Sequence, residues 1–127
     1  MEFVRNQLPA ILYMVLIFIM SSIPRLSLPD VGLRWEDKFV HLVEYLALSF
    51  LLARAFYYQH WKPISISQAV QLAVIVAVLY AATDEIHQYF VPGRFADVWD
   101  WVADSIGAYL GGIVAAKRLA LTRPNTN

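Results

Sequence analysis

The sequence has no cysteine among its 127 residues. Disulfide scaffolds, thiolate-held zinc or iron–sulfur centres and thiol catalysis are thereby excluded, and nothing follows about redox compartment. A charge surplus is missing too: 10 Lys+Arg stand against 10 Asp+Glu, a formal net charge of +0 at pH 7. Nucleic-acid binding rests on a surplus of Lys and Arg meeting phosphates, so no nucleic-acid partner is expected. Charge of either sign is scarce, at 16% beside 59% hydrophobic residues. Soluble domains carry about 25% and about 45–50% respectively, so the apolar excess asks for a solvent other than water. No internal repeat or low-complexity segment is visible. One domain over 1–127 leaves room for about four membrane spans of ~20 residues.

Between Arg5 and Arg25 lie nineteen uncharged residues, and residues 8–23 are apolar enough for a first span. A cleavable leader is the competing reading, but Ser21-Ser22-Ile23-Pro24-Arg25 offers no small-x-small cleavage site. Residues 39–58 form a second span, 66–89 a third and 98–116 a fourth, with a polar, disordered tail over 122–127. The connections are short, which makes neighbouring spans antiparallel. The expected architecture is all-α: a polytopic membrane protein, a compact antiparallel bundle of four transmembrane helices.

Four spans put the N-terminus, the second connection and the C-terminus on one side, with Arg5, Arg54, Lys62, Lys117, Arg118 and Arg123. Arg25, Arg34, Lys38 and Arg94 lie on the other. The positive-inside rule then places both termini in the cytoplasm. Asp30, Glu36, Asp37, Asp84, Glu85, Asp97, Asp100 and Asp104 fall on the outer half, so the acidic face points outward. Trp35, Trp61, Trp99 and Trp101, with Tyr57, Tyr58, Tyr89 and Phe90, cluster at span ends and read as interfacial anchors.

A charged group in hydrocarbon costs roughly 2.5–3.5 kcal/mol on the insertion scale, so those retained there face a bundle interior or a wet pocket. Asp37, His41 and Glu44 or Tyr45 share one face of the second span by their spacing. Asp84, His87 and Gln88 are assigned to one face at the end of the third, beside Glu85. Asp97, Asp100, Asp104, Gly107 and Gly111 step by 3, 4, 3 and 4, a stripe acidic above and small below. The small-xxx-small glycines suit close helix packing, so the aspartate face looks inward. The helix dipole accounts for acids at Asp97 and Asp100, but it has faded by Asp104, two turns in. Arg94, beyond Pro92-Gly93, can fold back onto Asp84, Glu85 or the stripe, and its planar guanidinium suits phosphate or carboxylate. His41 and His87 are able to serve as acid/base groups, metal ligands or hydrogen-bonded structural residues. Histidine with carboxylates is chemically fit for zinc or manganese, yet no His-Glu-x-x-His is present, so a divalent metal is left open and no metal ligand is assigned.

The run Asp37-Lys38-x-x-His41-x-x-x-Tyr45, followed by Thr83-Asp84-Glu85-Ile86-His87-Gln88-x-Phe90-x-Pro92-Gly93-Arg94-x-x-Asp97-x-x-Asp100-x-x-x-Asp104-x-x-Gly107-x-x-x-Gly111, resembles the VanZ-like family from Asp37 to Gly112. The resemblance implies a small bacterial protein of the cytoplasmic (inner) membrane. It also implies a link to the cell envelope and to antibiotic resistance, since the family takes its name from a protein tied to reduced teicoplanin susceptibility. It implies no settled activity. It supports Asp37, Lys38, His41, Asp84, Glu85, Gln88, Arg94, Asp97 and Asp100 as a shared polar core. Asp104 departs from the pattern, where asparagine is common, and adds negative charge at depth.

Two functions compete on these residues. In the first, the protein binds or handles an anionic lipid-linked envelope precursor, lipoglycopeptide or similar amphiphile at the outer leaflet. Asp37, Lys38, His41, Asp84, Glu85, Gln88, Arg94, Asp97, Asp100 and Asp104 then form the ligand site, with Arg94 and Lys38 on the anionic head and membrane lipids as partners. In the second, a membrane-embedded hydrolase or transferase, metal-dependent or not, acts on a lipid head through His41, Asp84, Glu85 and Asp100. A purely structural acid–Arg network is the plain alternative to both.

Overall fold

The computed structural model describes residues 1–24 and 34–122, apart from the side chains of Arg34 and Glu36. Five α-helices and no strand occur among the described residues: α1 (Glu2–Asn6), α2 (Leu8–Ser21), α3 (Arg34–Tyr57), α4 (Ile66–Tyr89) and α5 (Val98–Leu121). The fold class is all-α. The expectations placed on Arg25, Asp30 and the tail after Thr122 lie outside the described residues, as do those on the Arg34 and Glu36 side chains.

Local chemistry explains the helix ends. Ser65 opens α4 with a reciprocal cap: its Oγ accepts from the Gln68 N–H at 3.1 Å, and Gln68 Oε1 accepts from the Ser65 N–H at 2.9 Å. Asp97 caps α5 by accepting from the Trp99 N–H at 2.9 Å. Between them, Val91-Pro92-Gly93-Arg94 closes on an Arg94 N–H to Val91 carbonyl bond of 3.1 Å, with Gly93 at φ 75°. Proline second and a positive-φ glycine third make this a type II turn. α2 stops at Ser21, two residues before the expected limit, where the hydroxyls of Ser21 and Ser22 both donate to the Phe18 carbonyl. α3 starts at Arg34, so Asp37 and Lys38 stand on a helix. α5 runs on to Leu121 with Arg118 in its last turn, where a cation complements the helix dipole. α1 is a short element that the sequence reading did not anticipate.

The bundle runs up, down, up and down. Gln7, at the start of α2, donates to the carbonyls of Ala55 and Tyr58 at the end of α3. Ser22, after α2, meets His87 near the end of α4 at 2.9 Å. The starts of α3 and α5 adjoin through Lys38 and Asp97. α3, α4 and α5 pack closely on small residues. Ala69, Ala73, Ala77 and Ala81 form a fully buried stripe on α4, matched on α5 by Ala103, Gly107, Ala108, Gly111, Gly112 and Ala115. α2 lies against α3 and α4 at the side, tied by the Tyr80 hydroxyl donating to the Met14 carbonyl at 2.7 Å.

Much of the apolar surface lies on the outside of the helices. Large apolar side chains face outward on every long helix, among them Leu12 and Phe18 on α2, Val40 and Val43 on α3, Ile75 and Leu79 on α4, and Ile106 and Ile113 on α5. Asp37–Tyr57 and Ile66–Tyr89 are long and apolar enough to cross a membrane, and only 39% and 22% of their apolar windows are buried. The core helix of a water-soluble domain would be mostly covered. Of the four expected spans these two pass on length and composition; α2 has 14 residues, and α5 carries Asp100 and Asp104 near its start.

Candidate functional site

Charge separates by end. One end gathers Arg5, Arg54, Lys62, Lys117 and Arg118, and it is closed by Arg54 Nη2 on Asn6 Oδ1 at 3.2 Å and His60 on Glu2 at 3.0 Å. The other end holds the acidic residues and a cleft of about 160 Å³ lined by Asp37, His41, Gln88, Gly93, Arg94, Phe95, Asp97 and Asp100.

Three helices supply that cleft. α3 presents Asp37, Lys38 and His41 on its first two turns. The Lys38 ammonium bridges Asp97, at 2.5 Å, and Asp100. Below it His41 Nδ1 meets Asp104 Oδ1 at 3.0 Å, while Nε2 lies 3.8 Å from Asp100 Oδ2. His41 therefore turns to α5 and not to Glu44, its neighbour one turn along. α4 contributes Asp84, Glu85 and Gln88, all buried. Glu85 Oε2 accepts the backbone N–H of Asp97 at 2.9 Å, locking the end of α4 to the start of α5. Gln88 Nε2 donates to Asp84 Oδ2 at 3.0 Å.

Arg94 arrives from the turn. Its Nε donates to the Ile23 carbonyl at 3.0 Å, Nη2 to the Met20 carbonyl at 2.8 Å and Nη1 to Gln88 Oε1 at 3.5 Å. It thereby fastens the carbonyl end of α2 to the cleft and reaches Asp84 through Gln88.

Every sequence-predicted site residue lies at this end: Asp37, Lys38, His41, Asp84, Glu85, Gln88, Arg94, Asp97, Asp100 and Asp104. His87 separates from them. It stacks on Phe18 at 4.7 Å between ring centroids and contacts Ser22, so it belongs to the α2–α4 seam and not to the face of Asp84 and Gln88. Two further groups extend the polar core: the Tyr45 hydroxyl and Ser49 Oγ, buried without a hydrogen-bond partner among the described residues. The step of four from His41 through Tyr45 to Ser49 is the signal that leads to them.

The electrostatics are lopsided. Among the described residues, the carboxylates of Asp37, Asp84, Glu85, Asp97, Asp100 and Asp104 share the region with Lys38, Arg94 and His41, and Lys38 is already held between two of them. The carboxylates accept hydrogen bonds from hydroxyl or ammonium groups, the guanidinium offers donors to phosphate or carboxylate, and carboxylates with an imidazole form a donor set for a divalent metal.

The family model described as VanZ/LLP1 matches residues 7–120, most of the chain. No curated protein matches, and no solved structure matches.

Proposed function

The chain belongs to the VanZ/LLP1 family, and from that membership and the cleft we propose an integral membrane protein that holds the polar head of an amphiphile. α2, α3, α4 and α5 are the four spans of a multi-pass protein of the bacterial cytoplasmic membrane, both termini are cytoplasmic, and the acidic cleft opens at the outer leaflet. The exposed apolar flanks support the spans, and the basic residues at the opposite end support the orientation. The ligand is an envelope amphiphile with an anionic group, such as a lipid-linked precursor or a lipoglycopeptide, and its capture would bear on teicoplanin susceptibility.

One observation carries this reading: a polar cleft opens at the end of an apolar bundle, with exposed Phe95 in its lining. A head group and a hydrocarbon tail have adjoining surfaces there. Arg94 meets the phosphate or carboxylate, and Asp37, Asp97 and Asp100 accept from hydroxyl or amine groups of the same head. Arg94 is among the residues that line the cleft and Lys38 is not, so the anion is assigned to Arg94 rather than to both cations.

Mass spectrometry of lipids retained by the detergent-purified protein tests it, with Arg94→Lys beside the wild type. Lysine keeps the charge and loses the planar fork. About one anionic amphiphile per chain is expected with the wild type, reduced about tenfold in the variant, a loss equal to about 1.4 kcal/mol. Equal retention by both, or none by the wild type, ends the head-group reading.

A further inference from the structure

Below the cleft, His41 on α3, Glu85 on α4 and Asp104 on α5 bring one ligand atom each to within 4.8 Å of one another. All three are buried, at 7%, 7% and 0% exposure. Glu85 uses one carboxylate oxygen on the Asp97 N–H, and Asp104 uses one on His41. The second oxygen of each, Glu85 Oε1 and Asp104 Oδ2, is buried with no hydrogen-bond partner among the described residues. Two buried carboxylate oxygens in one cluster are costly, because a buried acceptor without a partner forfeits its hydration and gains nothing in return. The neighbouring cation offers no relief, since Lys38 is bound to Asp97 and Asp100.

We propose that His41, Glu85 and Asp104 form a divalent-cation site that takes Mn²⁺ or Zn²⁺. One imidazole nitrogen and two carboxylates suit these ions, and three protein ligands from three helices leave coordination positions for water or a ligand oxygen from the cleft. A second trio, Asp37, His41 and Asp100, shares the histidine. Its Asp100 is engaged by Lys38, whereas the deeper pair of acids retains open oxygens, so the ion belongs to the deeper set. A cation there also offsets the excess of carboxylates around the cleft. The site stands independently of the head-group reading, since the ion needs no amphiphile.

Chelator-stripped protein in detergent, incubated with Mn²⁺ or Zn²⁺ separately and desalted, is assayed for metal per chain and for thermal unfolding. The expectation is about one equivalent of at least one ion and a raised Tm on loading. Asp104→Asn and Glu85→Gln are each expected to lower occupancy about tenfold and to abolish the metal-dependent Tm shift, whereas Asp37→Asn keeps both. The metal-free unfolding of the variants shows that they fold; if either fails to, uptake and Tm shift of the wild type against Asp37→Asn decide. Wild-type uptake below about 0.1 equivalent of both ions, undiminished uptake by Asp104→Asn, or loss on Asp37→Asn overturns the site.

Discussion

At the scale of single residues, Lys38 shows how the site is held together. Its ammonium keeps Asp97 and Asp100 side by side at the start of α5, with side-chain exposures of 23% for Lys38 and 8% for Asp100. Removing one partner of such a pair leaves the other charge buried and uncompensated, which costs about 3–5 kcal/mol when the pair is fully enclosed. Partial exposure of Lys38 lowers the expectation for Lys38→Met to about 2 kcal/mol. Adding Asp100→Asn removes the stranded charge and should restore about half of that loss. Denaturant or thermal unfolding in detergent measures both; a Lys38→Met protein as stable as the wild type would show that the two aspartates do not need the ammonium. The residue types of this site were legible in the sequence, because a charge in an apolar segment is costly enough to need a reason. The pairings were not. His41 has Glu44 one turn along its own helix, yet it pairs with Asp104, 63 positions away. Only the packing of α3 on α5 decides between them.

At the scale of elements, the glycine stripe of α5 explains why α3 and α5 come so close. A Cβ at Gly107 would lie 2.9 Å from the Leu42 carbonyl carbon and nearer still to its oxygen, and one at Gly111 would meet Leu46 in the same way. Backbone cannot rotate aside. Alanine gains about 1 kcal/mol in helix propensity over glycine, but overpacking costs about 1–3 kcal/mol. Gly107→Ala is therefore expected to lower stability by about 1 kcal/mol on balance, and to loosen the Lys38 and His41 contacts above it. Gly112→Ala should be milder, since its Cβ would meet side-chain methyls of Val74 and Val70, at 2.9 and 3.1 Å, rather than backbone. Thermal unfolding of the two variants side by side checks the order, and Gly107→Ala more stable than Gly112→Ala would contradict the close approach. The glycine spacing, the stop at Pro92-Gly93 and the helical segments were legible because each is a local preference. The alanine stripe of α4 escaped notice because alanine marks a face only when something packs on it. His87 was misplaced for a related reason: positions 84, 87 and 88 spread over enough of the helix to serve two neighbours, and α2 takes His87 while α5 takes Glu85.

At the scale of the whole molecule, the ordering of polarity yields a topology test that the composition makes unusually clean. The chain has no cysteine, so a single introduced thiol is the sole site for a maleimide. His60, in the connection between α3 and α4, and Phe90, at the end of α4, are both exposed and lie at opposite ends of that helix. α4 has 24 residues, about 36 Å at 1.5 Å per residue, enough to cross the ~30 Å hydrocarbon core. If the helices span the membrane with the cleft outward, a membrane-impermeant maleimide applied to intact cells labels Phe90→Cys and leaves His60→Cys unlabelled until the membrane is opened. The reverse pattern would keep the spans and invert the orientation, moving the cleft to the cytoplasmic leaflet and away from envelope amphiphiles. Labelling of both positions in intact cells would remove the spanning arrangement of α4 altogether. The basic end and the acidic end thus make opposite predictions for two thiols on one helix, and a single labelling experiment decides which leaflet the cleft serves.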